Sequence, residues 1–149
     1  MDQFKVCFVC NGNNSRSIMA EFIARNEWKG TVEVISCGIN ASEGSEIACH
    51  TQMVLAELGI SIGKKRRNRI SQDHVRNYVF YFAMDDVVRN VLINEYKIPA
   101  ERIEILHPDI RDPKGCDLDV YRECRDLIRN SIRKINVKEL EERIENQTW

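Results

Sequence analysis

The sequence predicts an α/β fold: a single domain built on a four-stranded parallel sheet flanked by helices on both faces. Three observations predict it. Short β-rich apolar runs alternate with segments whose apolar residues recur at helical spacing, the pattern of parallel strands joined by right-handed crossovers. The length of 149 residues suits one domain with a substantial core. No repeat, low-complexity stretch or linker divides the chain.

The elements follow in order. FKVCFV over residues 4–9 reads as the first strand, and Met19, Phe22 and Ile23 mark the helix after it. VEVIS over 32–36 reads as the second strand, and Ile47, Val54, Leu55 and Leu58 mark a second helix that Gly59 ends. YVFYFA over 78–83 is the third strand. Val87, Val88, Val91 and Leu92 mark the helix after it, with Asp85 and Asp86 suited to its first turn. RIEIL over 102–106 is the fourth strand. A final helix starts near Leu118, with Val120, Cys124, Leu127, Ile128, Ser131 and Ile135 along one face. The domain is expected to span 1–149, with residues 137–149, which include the charged KELEERIENQTW, an extension of the last helix or a tail. Trp28 reads as a packing residue and Trp149 as part of that tail.

With 22 basic and 23 acidic residues the net charge is −1, which gives no general case for nucleic-acid or membrane binding. The opening MDQFKVCFVC lacks the basic start and long apolar stretch of a signal peptide, and no apolar run approaches the roughly 18 residues of a membrane span. A cytoplasmic location is expected. There the six cysteines should be reduced thiols. Cys7 and Cys10 have C-x-x-C spacing, but within a strand they point to opposite faces with Cα atoms roughly 10 Å apart. No second C-x-x-C or spaced histidine pair completes a zinc site, so no metal is expected. His50, His74 and His107 show no ligand spacing.

The chemistry lies in VCFVCNGNNSRSIMA, residues 6–20. Cys10 follows the first strand and Arg16 opens the first helix, at the carboxyl edge of a parallel sheet where ligands bind. Asn11, Gly12, Asn13, Asn14 and Ser15 lie between them. Gly12 lets the backbone turn and approach closely, and Asn13 and Asn14 are of a type that tolerates left-handed geometry. Wrapped around a tetrahedral oxyanion, the loop's amides would form a nest ending at a helix N-terminus. Arg16 would add a planar two-pronged donor. Such a field favours a thiolate at its centre, a nucleophile in position for a bound phosphoryl group. No glycine-lysine-serine/threonine ending follows, which disfavours nucleoside triphosphates. On spacing alone, Cys10 could equally be an inert thiol and Arg16 a solvated helix-start residue.

CNGNNSRSIMAEFIA resembles the phosphate-binding loop and first helix of the low-molecular-weight protein tyrosine phosphatases. SCGINASEG resembles the family's serine-rich strand end, LAELGISI its glycine-isoleucine helix end, FAMDDVVRNVL its methionine-aspartate helix start, and IRDPKGCDLDVYRECRDLI its aspartate-proline lid and last helix. The similarity spans about residues 4 to 135 in the family's order. It implies a cofactor-independent hydrolase of protein phosphotyrosine and aryl phosphates, with phosphorylated proteins as partners. Cys10 would attack phosphorus and form a cysteinyl-phosphate, and Asn11 to Arg16 would cradle the phosphate, Arg16 on its equatorial oxygens. Ser17 would donate to the thiolate, while Asn13 and Ser36 would support the loop.

The leaving group needs a proton. Asp112 is the candidate acid, held out of helical geometry by Pro113. Asp109 is the rival carboxylate, and a plain Asp-Pro turn is the alternative reading. The mechanism requires thiolate Cys10 and protonated Asp112 together, which predicts a mildly acidic optimum for aryl phosphates.

Four departures from the family pattern stand out. Ser15 replaces the second loop cysteine and Ile18 the helix-start proline. Asn14 is polar where many members carry an aliphatic residue, which bears on phosphotyrosine against phosphoarginine as substrate. Lys114 and Gly115 stand where eukaryotic members carry tyrosines. The KKRR run at 64–67 is either a solvated charge run or an attractor of acidic phosphoproteins.

Two other functions compete. A thiol-coupled arsenate reductase shares the loop but needs a cysteine pair after the third strand, and residues 80–100 contain none; Cys37, Cys116 or Cys124 would have to substitute. A non-catalytic phosphate-binding module would not need both Cys10 and Asp112.

Overall fold

Burial of FKVCFVC fixes the centre of the molecule. In the computed structural model, which describes residues 4–78 and 80–146, this run forms β1 (Phe4–Cys10), buried continuously from Val6 onward. β1 is flanked by β2 (Val32–Gly38) on one side and by β3 (Phe80–Ala83) and then β4 (Ile103–Ile105) on the other, all parallel, in the order β2-β1-β3-β4. The helices are α1 (Arg16–Trp28), α2 (Cys49–Ala56), α3 (Gln72–Asn77), α4 (Asp86–Asn94), α5 (Leu118–Arg133) and α6 (Val137–Glu145). This is the single-domain fold the alternating pattern predicts.

The period-2 alternation of β1 divides the core. Val6, Phe8 and Cys10 face a layer containing Met19 and Ile23 of α1 and Ile128 and Ile132 of α5. Phe8 stacks on Phe82 at 5.3 Å and on Trp28 at 6.1 Å. Cys7 and Val9 face the opposite layer, with Tyr81, Val88 and Leu92. Cys7 and Cys10 therefore lie on opposite faces, as the strand reading of C-x-x-C requires. Cys7 approaches Cys37 instead, at 3.6 Å between sulfurs. Burial together with that neighbour raises the Cys7 thiol far above its ordinary range.

Several details differ from the sequence reading. α3 carries no apolar periodicity and escapes it; Ser71 caps it in a capping box with His74. Tyr78 belongs to the end of α3 rather than to β3. Ile47 precedes α2, and Val87 is 68 % exposed, so the apolar face of α4 rests on Val88 and Leu92. α5 ends at Arg133 and α6 starts separately, its N-terminus capped by Asn136. α6 buries Leu140 and Ile144 against the first core layer. Trp28 is buried in that layer, whereas Trp149 lies outside the described residues. No described helix is long and apolar enough to cross a membrane.

Candidate active site

The sheet delivers Cys10 to its carboxyl edge as the last residue of β1, and the chain turns at once into α1. Asn13 makes that turn with φ 50°, the left-handed geometry asparagine tolerates. Gly12 does not: it has no positive φ, and a Cβ there would meet nothing nearer than Asn14 Cβ at 4.0 Å. The glycine with no room is Gly38, at the end of β2. A Cβ on it would stand 2.7 Å from both Asn11 O and Asn13 N. Sequence reading passed over Gly38 although it sits inside SCGINASEG.

The nucleophile candidate sits in a connected polar network. Cys10 Sγ lies 2.8 Å from Ser17 Oγ and accepts from Asn13 N–H at 3.2 Å. Asn13 Nδ2 donates to Ser17 Oγ and to Ser36 Oγ, each at 2.9 Å, while Asn13 Oδ1 accepts from Asn68 N–H at 2.7 Å. Ser36 Oγ in turn donates to Glu21 Oε1 at 2.5 Å. Ser15, Ser17, Asn13 and Ser36 are all buried. Ser15 stands at the N-cap of α1 without a side-chain cap bond, so that helix end has no internal acceptor of this kind for its first amides.

Glu21 is the unexpected member. Its side chain is fully buried, with Lys65 Nζ 3.1 Å from Oε1 and Arg25 facing Oε2 at 2.7 Å as a charge contact rather than a directed hydrogen bond. A buried carboxylate needs such partners to remain charged. Lys65 is thus no freely solvated member of KKRR. Arg67 is also engaged, donating Nε to Glu46 O at 3.0 Å.

Arg16 is only 3 % exposed. Its Nη1 donates to Asp85 Oδ2 at 2.9 Å and to Ile110 O at 3.2 Å, and Nη2 lies 3.9 Å from Asp112 Oδ2. Asp85 divides its oxygens: Oδ2 takes Arg16, and Oδ1 caps α4 by accepting from Val88 N–H at 2.9 Å. The sequence reading of Asp85 as a first-turn residue found only the second task.

Cys10, Asn11, Gly12, Asn14, Ser15 and Arg16 line one cavity of about 210 Å³ with Arg67, Asp112 and Lys114. All the loop positions singled out in the sequence except Asn13 therefore share one space; Asn13 lies beneath as scaffold. Asp112 reaches it from the segment between β4 and α5, its Oδ1 accepting from Lys114 N–H at 3.0 Å. Ile110 and Pro113, on either side of it in the chain, are both buried. The rival Asp109 lies in a neighbouring cavity with Cys116 and Cys124. Asn14 is held at two points, Oδ1 by Ala48 N–H and its carbonyl by Thr51 Oγ1, each at 2.7 Å.

None of the substitute relay thiols touches Cys10 Sγ. Cys37 belongs to the opposite core layer, Cys116 is exposed, and Cys124 points its sulfur at Arg111 O, 3.8 Å away. Burial pushes the Cys124 thiol up to about 12, with Asp112 and Cys10 adding to the rise and Arg16 opposing it. Among the described residues no group of three or more His, Cys, Asp or Glu side chains is arranged to hold a metal.

Residues 5–146 match the family model described as low molecular weight phosphotyrosine protein phosphatase. The chain is 31% identical over 142 residues to a protein-arginine-phosphatase of Geobacillus stearothermophilus, covering 91% of this chain and 95% of that one. It is 29% identical over 137 residues to a glutaredoxin arsenate reductase of Synechocystis sp., covering 90% and 97%. A solved arginine phosphatase structure from Geobacillus stearothermophilus superimposes with a TM-score of 0.86 at 30% identity, covering 98% of this chain and 99% of that one.

Proposed function

The chain belongs to the low molecular weight phosphotyrosine protein phosphatase family, and on that premise we propose that it dephosphorylates proteins through a cysteinyl-phosphate, with phosphoarginine preferred to phosphotyrosine. The observation that carries the mechanism is the meeting of Cys10, Arg16 and Asp112 around one 210 Å³ cavity.

Cys10 thiolate attacks phosphorus while the amides of 11–16 and the Arg16 guanidinium hold the equatorial oxygens. Asp85 and Ile110 O fix the guanidinium plane, so little rotamer freedom remains to be lost on binding. As the P–N bond of phosphoarginine or the P–O bond of phosphotyrosine breaks, Asp112 gives its proton to the leaving atom. Ser17 stabilises the sulfur as a leaving group in the second step. There Asp112 carboxylate takes a proton from water, water oxygen attacks phosphorus, and Cys10 thiolate and inorganic phosphate are released.

The substrate preference rests on the cavity lining. Its residues are Cys, Asn, Gly, Ser, Arg, Asp and Lys, with no aromatic or aliphatic side chain among the described residues to cover a phenyl ring. Asp112 can accept from a guanidine N–H beside the leaving nitrogen, and Asn14, its oxygens held by Ala48 N–H and Thr51 Oγ1, gives the wall a polar amide in place of an aliphatic side chain. The naming of two relatives as protein-arginine-phosphatases supports the same reading. Against a thiol relay to arsenate stand the burial that raises the Cys124 thiol and the place of Cys37 in the opposite core layer, beside Cys7.

The test compares a phosphoarginine peptide, a phosphotyrosine peptide and para-nitrophenyl phosphate in reductant without metal. Cys10→Ser should abolish turnover of all three, and Asp112→Ala should lower kcat about 100-fold. Asn14→Ile should move preference from phosphoarginine toward phosphotyrosine. A higher kcat/KM for the phosphotyrosine peptide in the wild type would overturn the substrate assignment, and activity in Cys10→Ser the mechanism.

A further inference from the structure

One large groove takes no part in the chemistry above. It measures about 550 Å³ and is lined by Glu46, Ile47, Gln52, Ile62 and the run Gly63–Arg66. It adjoins the Cys10 cavity through two stretches of chain, residues 46–48 and the step from Arg66 to Arg67. On one side Ala48 N–H holds Asn14, and Glu46 O holds Arg67, which lines the Cys10 cavity. On the other side Glu46 and Ile47 line the groove.

The groove's charges are not equally committed. Lys65 is spent on buried Glu21. Arg66 makes only a loose contact with Glu46 at 3.7 Å, its side chain 57% exposed, and such a pair is readily exchanged. Lys64 is exposed and makes no ion pair among the described residues. Past this basic rim the groove runs into an adjoining hollow lined by Met53, Ile60 and Ile62, where Met53 is 49% exposed.

A 210 Å³ cavity has room for a phosphorylated side chain but not for the peptide carrying it. The flanking residues of a protein substrate must therefore lie on the surface beside the cavity. We propose that this groove receives them and selects a flank in which Asp or Glu meets Lys64 and Arg66 and an aliphatic residue follows onto Ile60, Ile62 and Met53. The inference rests on the reading of this chain as a protein phosphatase and names the class of sequence it favours. It also gives a task to the part of KKRR that the scaffold does not use.

The experiment reads affinity, so that it does not depend on turnover. Two fluorescein-labelled phosphoarginine peptides, one with a Glu-Glu-Leu flank and one with Gln-Gln-Ser, are titrated into the full chain carrying Cys10→Ser. The acidic peptide should bind about fivefold more tightly at low salt. That ratio should fall to near one in a Lys64→Gln/Arg66→Gln background and in 0.5 M NaCl, where screening is nearly complete. Equal affinities, or a ratio that survives the double substitution, would overturn the groove. So would a single-stranded oligonucleotide or a phosphatidylserine vesicle that binds through Lys64 and Arg66 more tightly than the acidic peptide. Hydrolysis of the same peptides by the chain with Cys10 intact is scored separately: its absence would refute the phosphatase reading while the affinity ratio still decides the groove.

Discussion

Gly38 ends β2 where any Cβ would stand 2.7 Å from the amide nitrogen of Asn13. The backbone of one strand thus props the turn that shapes the cradle, and the neighbour that would have to yield is main chain. Gly38→Ala should destabilise the protein by about 1–3 kcal/mol and lower kcat/KM more than tenfold. Gly12→Ala, with no protein atom nearer than 4.0 Å, should leave thermal stability almost unchanged. Parallel melting curves check the pair, and equal losses would refute the propping role.

Asp85 joins two tasks that substitution can separate. Asparagine caps helices as well as aspartate does but offers Arg16 no negative charge. Asp85→Asn should therefore keep most of the stability and lose about tenfold in kcat/KM. Asp85→Ala should lose a similar activity and a further ~1 kcal/mol of stability with the α4 cap. Melting temperature and steady-state rates on para-nitrophenyl phosphate distinguish the two.

Cys124 should resist alkylation. With its thiol pushed up to about 12, it stays protonated at pH 8, and only the thiolate reacts. Exposed Cys49 and Cys116 should label with iodoacetamide long before Cys124 and Cys7 under native conditions. Peptide mapping by mass spectrometry gives the order. Early labelling of Cys124 would contradict its assigned environment and reopen a thiol relay.

Glu57 ties α2 to α5. Its oxygens accept from Arg122 Nε at 3.0 Å and Nη2 at 2.7 Å, and from Arg125 Nη1 at 2.6 Å. These hydrogen bonds lower its carboxyl to about 2. A depressed carboxylate stabilises the fold above its unfolded value of about 4.3, and that stabilisation fades as pH falls through about 2. Wild type should therefore melt above Glu57→Gln at pH 7, and the gap should close between about pH 4 and 2. A gap that is constant over this range would refute the linkage.

The strands were legible to within a residue or two because burial in a parallel sheet demands unbroken apolar runs, as in FKVCFV. Helix α6, which buries Leu140 and Ile144, read only as an extension of the last helix or a tail, whereas the helices that bury a stripe along the sheet were legible. α3 was not, since QDHVRN has no apolar period and its only signal is the Ser71 and His74 pair. The Cys10 loop was legible because its chemistry is local. Glu21, Asp85 and Gly38 were hidden for the opposite reason. Glu21 in AEFIARNE looks like a solvated helix glutamate, and only contact with Ser36 and Lys65, far along the chain, makes it a buried one.

The Arg16 anchors have a consequence for synthesis. The residues of the cradle leave a ribosome well before their anchors do, because Arg16 is gripped by partners 69 and 94 positions later. A nascent chain that has reached only β3 already holds Cys10, but the Arg16 guanidinium has no fixed seat and Asp112 has not been translated. Competence should therefore switch on late and abruptly, once Ile110 docks, and a chain stopped at residue 105 should not bind phosphate as the finished one does.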